Sequence, residues 1–236
     1  MSDLYMIRHG QASFGEKNYD RLSPMGVVQA GIVAKHWVRI GRKIDVVYVG
    51  SMKRQSGTAD ALVSAYRENQ MVVSDIIIDA AFDEYDSESV FEAQIPGMVE
   101  EDPSISEKLP DIFSNKRMFQ LLFQDAMNRW VSGDYDVPGA VTWNGFKDRV
   151  LSGVCQIMQA QGAKKTLAVF TSGGPISVVV QESLGLTDKS AMAQSWQIMN
   201  ASITRFKYNA KGLALAGFND ITHLEMENDP RLLTYR

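Results

Sequence analysis

A chain of 236 residues, 45% apolar and 22% charged, has the make-up of one large globular domain. Its net charge of −4 argues against general binding to nucleic acid or to an anionic membrane surface. No apolar run approaches the ~18 residues that a membrane span needs. The single cysteine, Cys155, excludes an intrachain disulfide and a thiolate metal cluster, and a three-histidine zinc site would need all of His9, His36 and His223. The opening Met-Ser-Asp-Leu-Tyr-Met lacks the basic and apolar regions of a secretory signal. The expectation is a cytoplasmic α/β protein with no metal and no cofactor.

Residues 4–8 are short, apolar and bounded by Gly10, as a buried strand is. Ser23-Pro24 signals a helix start, with Ser23 as N-cap and Pro24 in the first helical position. That helix runs through Val27, Val28, Ile32, Ala34 and Trp37 and stops at Gly41. A second strand is predicted over 45–49, a second helix over 53–67 and a β-branched third strand over 72–78. The fourth strand, over 166–170, leads through Gly173-Gly174-Pro175 into a helix over 176–184. Segments 203–208 and 213–218 flank Asn209-Ala210-Lys211-Gly212 in a hairpin pattern. Strands alternating with helices predict an α/β fold with a mostly parallel central sheet, the hairpin adding antiparallel strands at one edge.

Between about 85 and 142 the alternation breaks. Residues 83–102 hold eight acids and no Lys or Arg. Helical spacing resumes over 113–130, and 133–139 is rich in turn residues. The reading is a single domain over 1–236 with a helical insertion at about 85–142 covering the active-site end of the sheet. The insertion's aromatics are expected to form a small satellite core.

The first strand delivers Arg8-His9-Gly10 to its carboxyl end, where open α/β sheets bind ligands. A neutral imidazole is a competent nucleophile toward phosphorus, and Arg8 beside it supplies positive charge and disfavours protonation of His9. Gly10 would let the backbone approach a phosphate closely. By themselves these three residues fit a strand-end histidine beside a solvated arginine equally well.

More residues follow the same pattern. Arg8-His9-Gly10-Gln11, then Leu22-Ser23-Pro24-Met25-Gly26 with Gln29-Ala30, resembles the opening of the histidine phosphatase superfamily, also called phosphoglycerate mutase-like. Gly50-Ser51-Met52-Lys53-Arg54, running on to Thr58-Ala59, resembles its second motif, with Gly50 where serine is usual. Phe82-Asp83-Glu84 stands where the family keeps its acid. The resemblance implies a three-layer α/β/α fold and a phosphohistidine on His9. Arg8 and Arg54 would hold the phosphoryl oxygens, and Glu84 would protonate the leaving alcohol and then activate water. Asp83, Asp86 and Glu88 are expected to raise the Glu84 pKa.

The pattern breaks at Phe170-Thr171-Ser172-Gly173-Gly174-Pro175, where Ser172 occupies the place of the family's second histidine. Ser172 reads either as a shorter phosphate donor beside Gly173 or as the N-cap of the following helix, and loss of a preorganised donor costs about 10²–10³ in rate. His36 reads as packed or solvated. His223, in Asn219–Leu224, resembles a structural family feature, and Asn200-Ala201-Ser202 reads as ordering backbone near the site. Gln11, Ser13 and Phe14 flank the nucleophile as candidate substrate contacts, with loop packing the plainer reading for Phe14.

The mutase pattern Glu-Ser-x-Trp-Asn is missing after Gly10, and acid rather than base lines the expected entrance. The implied function is therefore a metal-independent phosphomonoester hydrolase acting on a small phosphorylated substrate, as a monomer or homodimer. A weakened phosphate-binding protein is the alternative, and a mutase the more distant one.

Overall fold

Alternation along the first strand sets the architecture. In β1 (Ser2–Arg8), Leu4 and Met6 enter one apolar cluster while Tyr5 and Ile7 enter another, so both faces of the strand are covered. The computed structural model describes residues 1–13, 19–112 and 115–235. Phe14, and Phe113 at the expected start of a helix, lie outside the described residues. After β1 the chain forms α1 (Pro24–Arg39), β2 (Val46–Val49), α2 (Lys53–Glu68) and β3 (Ile76–Ile78). Next come α3 (Ser87–Glu101), α4 (Ser104–Lys108), α5 (Lys116–Ser132) and α6 (Trp143–Gln161). The remainder is β4 (Thr166–Thr171), α7 (Gly173–Leu184), α8 (Asp188–Ser195), β5 (Ile203–Asn209), β6 (Gly212–Asp220) and α9 (Thr222–Glu225).

The sheet order is β3-β2-β4-β1-β5-β6. The first four strands are mutually parallel, and the hairpin β5–β6 is antiparallel at the edge beside β1. Helices α1 and α2 bury Val33, Trp37, Leu62 and Tyr66 against the Tyr5/Ile7 face. Helices α6 and α7 cover the opposite face with Phe146, Val150, Val154 and Val179. This is the three-layer α/β/α arrangement. It brings the carboxyl ends of β1 and β4 side by side.

The structure departs from expectation in three places. The third strand is confined to Ile76–Ile78 at the sheet edge, and Val72 is 91% exposed. There Ser74 Oγ accepts from the Val47 amide at 3.0 Å, so a side chain takes the place of a ladder carbonyl, and β-branching without a partner strand does not extend the sheet. The acidic stretch is mostly helix α3, because Asp86 caps it by accepting from the Glu88 and Ser89 amides. Finally, the aromatics of α3 and α5 form no separate satellite. Phe91 of α3 and Trp130 of α5 belong to the same apolar cluster as Leu4 and Met6, with Phe119 and Phe123 packed against it.

The loop after β1 is locked onto α1 by two glycines. A Cβ on Gly10 would stand 2.4 Å from the Gly26 carbonyl oxygen, and one on Gly26 would stand 2.1 Å from that of Gln11. Gly10 is thus required by helix packing. Gly31, in the same helix, has open space at its Cβ position. Thermal melts should therefore show Gly26→Ala destabilised by about 1–3 kcal/mol through backbone overlap. Gly31→Ala should be stabilised by roughly 0.5–1 kcal/mol, because alanine loses less backbone freedom in a helix.

Candidate active site

His9 emerges from the end of β1 and is 4% exposed. Its Nδ1 lies 2.7 Å from the Gly10 carbonyl oxygen. A carbonyl only accepts, so this contact places the ring proton on Nδ1 and leaves a lone pair on Nε2. Arg54 Nε donates to that Nε2 at 3.1 Å. Burial, then the charges of Arg54 and Arg8, press the His9 pKa well below its usual value. His9 is a neutral imidazole with its nucleophilic nitrogen against a guanidinium.

Arg54 sits at the start of α2 and is itself fixed. Asp20 Oδ1 accepts from Arg54 Nη1 at 2.8 Å, while Asp20 Oδ2 accepts from the Lys53 amide at 2.9 Å. Met52 provides no side-chain cap for α2, so Asp20, from the loop before α1, caps the helix and orients the arginine together. The Tyr19 ring lies 5.4 Å from the Arg54 guanidinium. Sequence reasoning assigned Asp20 no role, because nothing local to it marks it as an arginine anchor. Arg8 Nη1 donates to the Ile198 carbonyl.

Glu84 follows a short 3₁₀ turn, Ala80–Phe82, after β3. Its Oε2 accepts from the Gly174 amide at 3.0 Å and its Oε1 from the Tyr85 amide at 3.2 Å. A Cβ on Gly174 would stand 2.0 Å from Glu84 Oε1, which is why glycine is needed there. Burial raises the Glu84 pKa against the lowering effects of the Gly174 amide, Arg54 and Arg8. The direction matches the sequence expectation but the cause does not. Asp83 turns away to accept from the Ser51 hydroxyl at 2.6 Å, and Asp86 caps α3.

Ser172 occupies the N-cap position of α7 but makes no capping hydrogen bond, and it does not line the cleft. Its hydroxyl, 1% exposed at the residue level, accepts from Gln55 Nε2 at 2.9 Å, and the same amide donates to the Phe82 carbonyl at 3.1 Å. Gln55 Oε1 lies 2.0 Å from where a Gly50 Cβ would stand. Gly50 and Ser172, the two departures from the resembling pattern, are thus one physical feature. The Gln55 amide fills the space between them.

Gly10, Gln11 and Ser13 also stand off the cleft wall formed by the described residues. The Gly10 amide donates to Thr58 Oγ1, and the Gln11 amide to Gln29 Oε1. Ser13 Oγ donates to the Leu22 carbonyl at 3.3 Å. They brace the loop behind His9. His36 and His223 pair elsewhere with ring centroids 5.6 Å apart, and burial lowers the His223 pKa to about 4. Neutral His223 donates from Nε2 to the Ala201 carbonyl at 3.0 Å. Ala201, in left-handed backbone at φ 58°, donates its amide to the Arg8 and His9 carbonyls, and Asn200 Nδ2 reaches the His9 carbonyl at 3.3 Å. This bears on the structural reading of both motifs: they hold the strand end.

The cleft has a volume of about 260 Å³, with Arg8, His9, Arg54, Glu84, Gly173 and Gly174 among its lining residues. Tyr85, Ser87, Phe119, Phe123 and Trp196 also line it, so α5 and the start of α3 reach the end of the sheet that carries His9. Among the described residues no three His, Cys, Asp or Glu groups converge as metal ligands, and no helix is long and apolar enough to cross a membrane.

The Gln55 bridge makes a direct prediction. Ser172→His should lower stability by about 1–3 kcal/mol, because the imidazole overlaps the Gln55 amide. The double variant Ser172→His with Gln55→Ala should recover most of that loss in a thermal melt. Equal melting of the single and double variants would show that Gln55 does not occupy the imidazole space.

Comparison with known proteins bears on the fold and the family. A protein of Hydrogenobacter thermophilus provisionally named phosphoserine phosphatase 2 is 23% identical over 233 residues, covering 94% of this chain and 98% of its own. The phosphoserine phosphatase of Entamoeba histolytica, crystallised as a mutant with phosphoserine, superposes with a TM-score of 0.64 at 18% identity, over 95% of this chain and all of that one. A phosphoglycerate mutase from Bacillus anthracis gives a TM-score of 0.64 at 15% identity, over 97% of each chain. These structural likenesses show the fold. The family profile matches residues 91–221, more than half the chain, downstream of His9, Arg54 and Glu84. The chain belongs to the histidine phosphatase superfamily, branch 1.

Proposed function

We propose that this protein is a metal-independent phosphomonoester hydrolase that works through a phosphohistidine on His9. The observation that carries the proposal is the neutral His9, its Nε2 lone pair facing Arg54, in one cleft with a carboxyl of raised pKa, Glu84. The relatives named for phosphatase activity support it. Nε2 attacks phosphorus as the ester P–O bond breaks, and the leaving oxygen takes its proton from Glu84. Water then attacks the phosphohistidine, Glu84 takes the water's proton, the P–N bond breaks and phosphate leaves. Arg8 and Arg54 stabilise the charge spread over the transferring oxygens.

A protein that only binds phosphate is the second reading, favoured by Ser172, which faces Gln55 in place of a donor to the phosphate. Against it stands Glu84. A buried carboxyl beside an anion site opposes binding, and it is useful there only if it moves a proton.

The test is hydrolysis of para-nitrophenyl phosphate and an alkyl phosphate with EDTA present, over a pH series. Turnover should survive chelation and fall by at least roughly 10³-fold in His9→Ala. His9, its pKa lowered, stays neutral well into the acid range, so it sets no limit near neutrality. Glu84 must carry its proton, and its pKa is raised, so alkyl phosphate turnover should fall as pH climbs through a value above the ordinary carboxylate range. Glu84→Gln should abolish that basic limb and damage the alkyl substrate far more than the aryl one, whose leaving group needs no proton. Loss of turnover on chelation, or full activity in His9→Ala, would overturn the proposal.

A further inference from the structure

The last described residues of the chain return to the nucleophile. After α9 comes a 3₁₀ turn, Pro230–Leu232, capped by Asp229, whose side chain accepts from the Arg231 amide. Leu232, 3% exposed, packs in the apolar cluster that holds Val33 and Trp37 of α1. The Asn200 amide donates to the Thr234 carbonyl at 2.9 Å, and Tyr235 stands among the residues that line the cleft. Thr234 is thereby set between two carboxamides that are 0% exposed, Gln29 on α1 and Asn200 before β5.

A hydroxyl has one proton to give and lone pairs to accept with. Thr234 Oγ1 gives its proton to Asn200 Oδ1 at 2.9 Å and accepts from Gln29 Nε2 at 2.9 Å. Each contact fixes which way an amide faces. Gln29 Nε2 sends its other proton to the Leu232 carbonyl at 2.8 Å, so Oε1 is left to accept from the Gln11 amide at 2.7 Å. Asn200, with Oδ1 on Thr234, turns Nδ2 to the His9 carbonyl at 3.3 Å. Turned over, Gln29 would set N–H against N–H, and Asn200 would set oxygen against oxygen.

The Gln29 arm reaches the nucleophile through one peptide plane. The Gln11 N–H and the Gly10 carbonyl belong to the same trans peptide and point in opposite directions. Holding the amide therefore aims the carbonyl, and that carbonyl lies 2.7 Å from His9 Nδ1. The His9 carbonyl has a second donor in the Ala201 amide at 3.2 Å, so the Gln29 arm is where the hydroxyl counts most.

We infer that Thr234 is a positioning residue for the nucleophile: its hydroxyl orients Gln29, Gln29 holds the Gly10–Gln11 peptide, and that peptide holds the His9 ring. The word nucleophile rests on the hydrolase reading, but the hold on the ring is independent of turnover.

Nitrogen-15 NMR of histidine-labelled protein near neutral pH reads that hold directly. The chain has three histidines, and His9→Ala identifies the His9 signals. In the wild type the Nδ1 proton should exchange slowly with water. Thr234→Val keeps the volume but removes the hydroxyl on which Gln29 Nε2 and Asn200 Oδ1 converge. Exchange should then quicken at least roughly tenfold. Thr234→Ser should hold it within about threefold of wild type. Thr234→Ala provides a second variant should the valine one fail to fold. Exchange unchanged in folded Thr234→Val or Thr234→Ala, even with a lowered melting temperature, would overturn the inference, as would Thr234→Ser behaving like valine. During hydrolysis kcat in Thr234→Val should fall by roughly tenfold or more while KM changes far less, and an unchanged kcat would also overturn it. A quickened proton in Thr234→Val, with no hydrolysis even by the wild type, would sustain the inference while defeating the hydrolase reading.

Discussion

The site depends on one short contact, the Nδ1 proton of His9 held by the Gly10 carbonyl. That bond settles which ring nitrogen keeps its lone pair, and burial beside Arg54 and Arg8 keeps that nitrogen unprotonated. Everything nearby serves to hold the backbone on which this geometry rests. The Gly10–Gly26 contact presses the loop onto α1, and Ala201 grips the carbonyls of Arg8 and His9 from the other side. Ala201 accepts the strain of left-handed backbone, stabilised by the buried His223. The histidine that superficially could replace a catalytic partner is instead part of the scaffold.

The opposite wall works by the same logic. Glu84 is both partly desolvated and tethered to the Gly174 amide, so its proton affinity is set by the cleft and not by the acids that follow it in the chain. Where the resembling pattern places a second imidazole, Gln55 spans from Gly50 to Ser172 and to the Phe82 carbonyl. Gln55 is thus a buried bridge behind the site, its Nε2 hydrogen-bonded to both the Ser172 hydroxyl and the Phe82 carbonyl. It also ties α2, which carries Arg54, to the segment that carries Glu84.

Much of this was legible in the residues alone. Apolar alternation in β1, the Ser23-Pro24 helix start and the turn at Asn209–Gly212 are local signals, and each element formed where its chemistry placed it. His9, Arg8, Arg54 and Glu84 come together because they follow strand ends or open a helix, positions that parallel sheets gather at one edge. What escaped was tertiary. The length of β3 depended on having no outer partner, and α3 was hidden by its acids and by Pro96-Gly97. Asp20, Gln55 and the Gly10–Gly26 contact act across the fold, where spacing along the chain carries no signal. Gln11, Ser13 and Ser172 were adjacent to the site in sequence, and each is turned to brace it from behind.

The central claim is that His9 Nε2 receives the phosphoryl group. The most direct measurement is mass spectrometry of protein quenched during turnover of para-nitrophenyl phosphate, followed by mapping of any phosphoryl adduct. The account predicts one acid-labile adduct on the peptide bearing His9, absent from His9→Ala. Turnover without an adduct under rapid quench, or an adduct mapped to another residue, would contradict it.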